Sequence, residues 1–160
     1  MSSEREVLTY DLFGTATREL AQEVADSGFR PDIILAIARG GLALGMGLGY
    51  ALAVKNISVV NVEFYTGVDQ RLDVPIMLPP TPAAVDLSGL KVLVADDVAD
   101  TGRTLELVRR LYPKAHFATV YAKPQGRSMV DSYITEVSQD TWIFFPWDMA
   151  LQYVRPYRGE

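Results

Sequence analysis

Cysteine is absent from the chain, so disulfides and thiolate chemistry are excluded. Histidine is nearly absent: the single His116 rules out a multi-histidine metal centre. A basic surplus is missing as well. The 15 Lys and Arg stand against 20 Asp and Glu, and the net charge of -5 argues against a general nucleic-acid binder. An anionic ligand stays open, because a local positive site can exist on an acidic protein. Long uncharged runs are scarce. The longest, GGLALGMGLGYALAV over residues 40–54, is too short and too glycine-rich for a membrane span. The opening MSSEREV is polar and charged, unlike a secretory leader. The expectation is a cytoplasmic protein with no integral membrane segment and no nucleic-acid partner.

What is present fits one domain over residues 1–160, with 49% apolar and 22% charged residues. Asp11 is placed to cap a helix running to about Ser27, with Phe13, Ala16, Leu20 and Val24 on one face and Gly28 as its stop. DIILAIA (32–38), ISVVNVEFY (57–65), KVLVA (91–95) and AHFATVYA (115–122) read as strands. Helices are expected over about 42–54 and 103–111, the latter burying Leu105, Val108 and Leu111. SYITEV (132–137) and WIFF (142–145) read as shorter strands, and LQYV (151–154) as a segment that can pair at a sheet edge. The prolines clustered between Pro75 and Pro82 argue against a regular element in most of 66–88, which is expected to be a flexible loop. Strand–helix alternation at this spacing predicts an α/β fold: a central, mainly parallel sheet flanked by helices on both faces.

Chemistry concentrates in KVLVADDVADTGRTL, residues 91–105. In an open parallel sheet, ligands bind at the carboxyl ends of strands. Asp96 and Asp97 are expected at such an end, and a carboxylate pair suits a vicinal diol or a hard divalent cation. The segment from Ala99 through Asp100, Thr101, Gly102 and Arg103 to Thr104 leads into a helix N-terminus, where backbone N–H groups and the helix dipole favour a phosphate. A diol grip beside a phosphate cradle suits a ribose 5-phosphate. Two other interpretations stay open on these residues alone: a magnesium-binding phosphoacceptor of the receiver type, and a plain turn followed by an N-cap.

VLVADDVADTGRTL resembles the phosphoribosyl-pyrophosphate signature of type I phosphoribosyltransferases. The likeness extends to AIARGG upstream and, downstream, to residues 111–124, GR at 126–127, VDSY at 130–133 and QDTWI with PWDM in 139–149. These segments resemble the bacterial xanthine-guanine phosphoribosyltransferases. The likeness is weakest over residues 55–90.

The resemblance implies a magnesium-dependent (Mg2+) purine phosphoribosyltransferase, using phosphoribosyl pyrophosphate (PRPP) and a 6-oxopurine base as substrates. It also implies a homodimer or homotetramer. Arg39, Gly40 and Gly41 would contact pyrophosphate, and an Arg beside two turn glycines is chemically apt for that anion. Asp100 would lie near N7 of the purine and handle a proton. Lys123, ending a strand, can donate to a 6-oxo group. Trp142 and Ile143 can sandwich a flat base. Asp148 corresponds to an acid near the base and metal, Asp96 and Asp97 to the ribose and metal grip, and Tyr65 to a mobile hood residue. Residues 124–160 would form the base-binding part. Three departures stand out: Phe144 occupies the place of an acid, Phe64 that of a small polar residue, and the proline-rich loop is longer than the resemblance implies. The alternative functions are a phosphoribosyltransferase for a different base and a non-catalytic sensor of the sugar diphosphate; the acid at 100 and the lysine at 123 speak against the sensor.

Overall fold

Four apolar runs make the interior of one sheet. The computed structural model describes residues 4–67, 70–78, 89–148, 150, 155 and 157, with the backbone alone over 64–67 and 70–78. The elements in chain order are β1 (Arg5–Val7), α1 (Tyr10–Asp26), β2 (Ile33–Ala38), α2 (Gly41–Ala51), β3 (Ile57–Gly67), β4 (Gln70–Leu78), β5 (Val92–Ala99), α3 (Arg103–Leu111), β6 (His116–Ala122), β7 (Ser132–Glu136) and β8 (Trp142–Phe144). The main sheet has the order β4-β3-β2-β5-β6-β7. Every neighbour pair is parallel except β3 with β4. This is the α/β architecture the alternation predicts.

Helices cover both faces. Ile34, Leu93, Ala118 and Val120 face Leu20 and Val24 of α1 and Leu44 and Leu48 of α2. Ile33, Leu35, Val92 and Val94 face Leu105 and Val108 of α3. Helix α2 carries the chain from β2 to β3 on one side, and α3 carries it from β5 to β6 on the other. The strand order therefore reverses between β2 and β5, and the crevice at their carboxyl ends is the place where such sheets take ligands.

Helix α2 lies close on the sheet because glycines face it. A Cβ on Gly41 would run into the carbonyl oxygen of Ala95, one on Gly45 would come within 2.9 Å of Ala36 Cβ, and one on Gly49 within 2.7 Å of Ile57 Cδ1.

Several elements differ from expectation. Thr9, not Asp11, caps α1: its hydroxyl accepts from the Leu12 N–H at 3.3 Å, while Asp11 sits in the first turn, where its charge complements the helix dipole. The expected face of α1 is buried, joined by Thr17 and Ala21, and Gly28 follows the helix at φ 83°. Leu111 ends α3 and is 52% exposed rather than facing in. Residues 70–78 form strand β4, within the segment expected to be a loop. Its edge position explains the tolerance of Pro75, since an edge strand lacks a partner on one side. Residues 79–88, and LQYV at 151–154, lie outside the described residues. Strand β1 is an addition to the elements expected from the sequence. It pairs in parallel with β8 in a separate two-stranded sheet, Val7 opposite Phe144. No helix among the described residues is long and apolar enough to cross a membrane.

Candidate active site

The β2–β5 crevice gathers the sequence-predicted acids and the Arg-Gly-Gly turn. Strand β5 runs on through the acids to Ala99, so Asp96 and Asp97 belong to the strand's last turns of pleat rather than to the loop after it. Each takes a backbone amide: Asp96 Oδ1 accepts from the Asp97 N–H at 2.9 Å, and Asp97 Oδ1 from the Val98 N–H at 2.8 Å. Burial, and then the charge of Asp97, push the Asp96 carboxyl well above the usual carboxylate range. Burial also raises Asp97; hydrogen bonding with the Asp96 side chain and then with backbone amides pulls it partly back, and the nearby charge of Asp148 adds to the rise. Asp148 is itself held by the Phe145 N–H, donated to its Oδ2 at 2.8 Å.

The Arg39-Gly40-Gly41 turn closes β2 directly over this pair. A side chain on Gly40 would collide with the Asp97 carboxylate. Arg39 is exposed, and the Ala38–Arg39 peptide bond is cis. The pair and the turn thus come from the two strands that flank the switch in strand order.

Beyond Ala99 the chain turns into α3. Ala99 itself is fully buried, and its carbonyl accepts from the Lys123 N–H at 2.9 Å. Thr101 is exposed, and its hydroxyl accepts from the Arg103 N–H at 3.5 Å. Gly102 adopts φ 84°, a left-handed conformation that glycine takes without strain, and it starts α3. The first-turn amides of a helix have no intrahelical carbonyl partner, so this end of α3 is a natural anion site. Thr104 lies half-buried in that first turn. Gly126 packs against the same bend: a Cβ there would come within 2.7 Å of the Asp100 carbonyl oxygen.

Asp100 meets Lys123, with Nζ 3.4 Å from Oδ2. The lysine directly follows β6 and is buried, while the acid is exposed. The other Asp100 oxygen accepts from Gln139 Nε2 at 2.8 Å. Gln139 lies in the turn between β7 and β8 and has no role assigned from the sequence, although it belongs to the QDTWI segment. A contact spanning 39 positions leaves no local signal.

Trp142, three residues on, is 64% exposed. Ile143 is half-buried against the α1–α2 side of the core. Phe144 is buried, so its side chain occupies a packing position. Trp147 stacks on Phe145 with centroids 5.0 Å apart and meets Phe13 edge-on at 5.4 Å. His116 hydrogen-bonds Ser132 Oγ at 2.8 Å and packs on Phe29. The backbone of Tyr65 lies in β3, and its side chain is outside the described residues, as is that of Phe64.

The donor set fits a hard cation. Two carboxylates share one crevice, and burial disfavours the charged form of both, a cost that a divalent ion or the hydroxyl donors of a diol would offset. No cluster of three or more acidic, His or Cys side chains occurs among the described residues, so a metal there would need oxygens from a substrate as well.

A model of the phosphoribosyl transferase domain matches residues 5–154. The chain belongs to the phosphoribosyltransferase family. Among its relatives, this phosphoribosyltransferase is 48% identical over 157 residues to a xanthine-guanine phosphoribosyltransferase of Cereibacter sphaeroides, an alignment covering 95% of this chain and 92% of the relative. It is 47% identical over 161 residues to a xanthine-guanine phosphoribosyltransferase of Ruegeria sp., covering 95% and 90%. In three dimensions it is similar to the purine phosphoribosyltransferase of Pyrococcus horikoshii, with TM-score 0.78, 29% identity, and 96% and 99% of the two chains covered.

Proposed function

We propose that the protein transfers the 5-phosphoribosyl group from PRPP to a 6-oxopurine (guanine, xanthine or hypoxanthine), releasing pyrophosphate. The observation that carries this is the packing of the Arg39–Gly41 turn onto Asp97. It sets a pyrophosphate-type loop against a diol-type grip at one crevice.

In this scheme Asp96 and Asp97 accept from the two ribose hydroxyls. The 98–104 segment takes the 5-phosphate through first-turn amides and the hydroxyls of Thr101 and Thr104, with Arg103 in the same segment. Arg39 and the amides of Gly40 and Gly41 receive the pyrophosphate. Lys123 donates to the 6-oxo oxygen, Trp142 and Ile143 flank the ring, and Asp100 handles the proton near N7. The bond from ribose C1 to pyrophosphate oxygen breaks as a purine nitrogen bonds to C1 from the opposite face. Most of the acceleration comes from positioning and electrostatics. Magnesium, held by Asp96 and Asp97 with Asp148 nearby, would neutralise charge on the departing pyrophosphate. Tyr65 is proposed to belong to a hood that limits water at the reacting carbon.

Assembly as a homodimer or homotetramer is part of the proposal. The exposed Leu42, Met46 and Tyr50 recur every four residues along α2 and supply an apolar stripe for it. Light scattering on the purified protein checks this; a monomer at all concentrations removes it.

The deciding experiment is a base screen. Protein, magnesium and PRPP are incubated with guanine, xanthine, hypoxanthine, adenine, uracil and orotate, and nucleotide is followed by absorbance and mass spectrometry. Formation of 6-oxopurine nucleotides is expected. Donor binding without turnover of any base would instead identify a sensor.

A further inference from the structure

We infer that Gln139 is a positioning residue that fixes the carboxylate of Asp100. This rests on the proposed role of Asp100 in proton handling. Both ends of the Gln139 amide are committed. Its Oε1 accepts from the Gln125 N–H at 3.0 Å, and its Nε2 donates to Asp100 Oδ1 at 2.8 Å. A backbone N–H only donates and an ionised carboxylate only accepts, so a single orientation of the amide satisfies both neighbours.

The three residues come from three segments: the bend after β5, the turn after β6, and the turn between β7 and β8. That last turn is pinned independently. The Thr141 N–H donates to the Ser138 carbonyl at 3.1 Å, and the Ser138 hydroxyl reaches Glu4 Oε2 at 3.2 Å. Gln139 therefore projects from a fixed base.

The other hold on Asp100 among the described residues is the longer contact to Lys123, at 3.4 Å. In the proposed reaction that ammonium turns to the base carbonyl. Gln139 is then what keeps an exposed carboxylate from rotating away. The same turn leads directly into Trp142, so the residue that aims the acid and the residue that flanks the ring share one short stretch of backbone.

Two substitutions separate positioning from simple loop stapling. Gln139→Glu keeps an acceptor for the Gln125 N–H and loses the donor to Asp100. Gln139→Met loses both. Steady-state kinetics with guanine, PRPP and magnesium, and thermal melts, are measured for each. The expected result is a kcat reduced about tenfold in both, part of the 10²–10⁴ that a positioned proton-transfer group supplies. The KM for PRPP should stay within about twofold of wild type, because uniform donor binding is untouched. In an Asp100→Asn background, Gln139→Glu should have no further effect on kcat. A wild-type kcat for Gln139→Glu, or an undiminished tenfold loss in the Asp100→Asn background, would overturn the inference. The two possible failures are distinct. Full turnover by Asp100→Asn alone would sink the role of Asp100 and the inference with it, whereas a crippled Asp100→Asn beside an unimpaired Gln139→Glu sinks the Gln139 inference only.

Discussion

Lys123 Nζ stands 3.4 Å from Asp100 Oδ2, and the two side chains differ sharply in exposure, 10% for the lysine and 52% for the acid. The cation is anchored in the protein and the acid is open to solvent. Asp100→Asn is expected to lower kcat by about 10²-fold while leaving PRPP binding near normal, as removal of a proton-transfer group does. Lys123→Met should act mainly on the KM for the base, through the lost donor. Unchanged turnover in the first variant, or an unchanged base KM in the second, removes the assigned role.

Asp96 gives a pH prediction with a definite sign. Its folded pKa lies above the unfolded value, so the folded state holds the proton more tightly. Between those two pKa values stability falls as pH rises, and the penalty persists at neutral pH. Asp96→Asn removes the ionisation. Without magnesium it should melt higher than wild type at pH 7, by about 2–4 °C for each kcal/mol relieved. The difference should shrink as pH falls toward the ordinary carboxylate range. The same variant should lose PRPP turnover. Melting curves from pH 4 to 8 test this, and a variant less stable than wild type at neutral pH would contradict it.

Glycines in this chain are not interchangeable. Gly41→Ala drives a methyl into the Ala95 carbonyl and to 3.1 Å from Asp96 Cα, both backbone atoms that cannot swing aside. A loss of about 1–3 kcal/mol and weakened PRPP binding are expected. Gly14→Ala meets only Arg18 Nη1 at 3.5 Å, inside α1. It should stabilise by up to about 1 kcal/mol through helix propensity. Denaturant melts of the two variants should move in opposite directions.

Arg109 links α3 to the strand layer away from the crevice. It lies 4.0 Å over the Phe117 ring, donates to the Met129 carbonyl at 2.9 Å and pairs with Asp131 at 3.0 Å. Asp131 also takes the Phe117 N–H at 2.8 Å. Arg109→Met should cost about 1–2 kcal/mol, less than a fully buried pair would, since both partners are partly exposed. Turnover at 25 °C should be retained. A large kcat loss without a lowered melting point would mean the residue does something other than hold the fold.

The middle of the sheet was legible because strands buried on both faces need apolar residues at every position, and IILAIA and VLVA offer little else. The acids and the Arg-Gly-Gly turn were legible for a related reason: charged and hinge residues stand out where such runs end. Strand β1 gave no comparable signal. It is three residues long, with only partial burial at Glu6, and it owes its existence to a distant partner, β8. Strand β4 was hidden by Pro75, which an edge tolerates and an interior strand would not, and by the prolines that follow it in the sequence. Thr9 and Asp11 are both good caps by type, and the local sequence does not choose between them. Gln139 depends wholly on tertiary placement, since nothing in QDTW distinguishes an amide aimed at Asp100 from one left in water.

The glycine face of α2 fixes more than a packing distance. A helix with methyl groups at those positions would ride higher on the strands, and the turn at its start would rise with it. The gap between the Arg39 turn and Asp97 would widen, and an activated sugar could then be held by its leaving group or by its hydroxyls, but hardly by both at once. Missing carbon atoms on the underside of one helix thus act as a spacer, setting how long a molecule the crevice can measure from end to end.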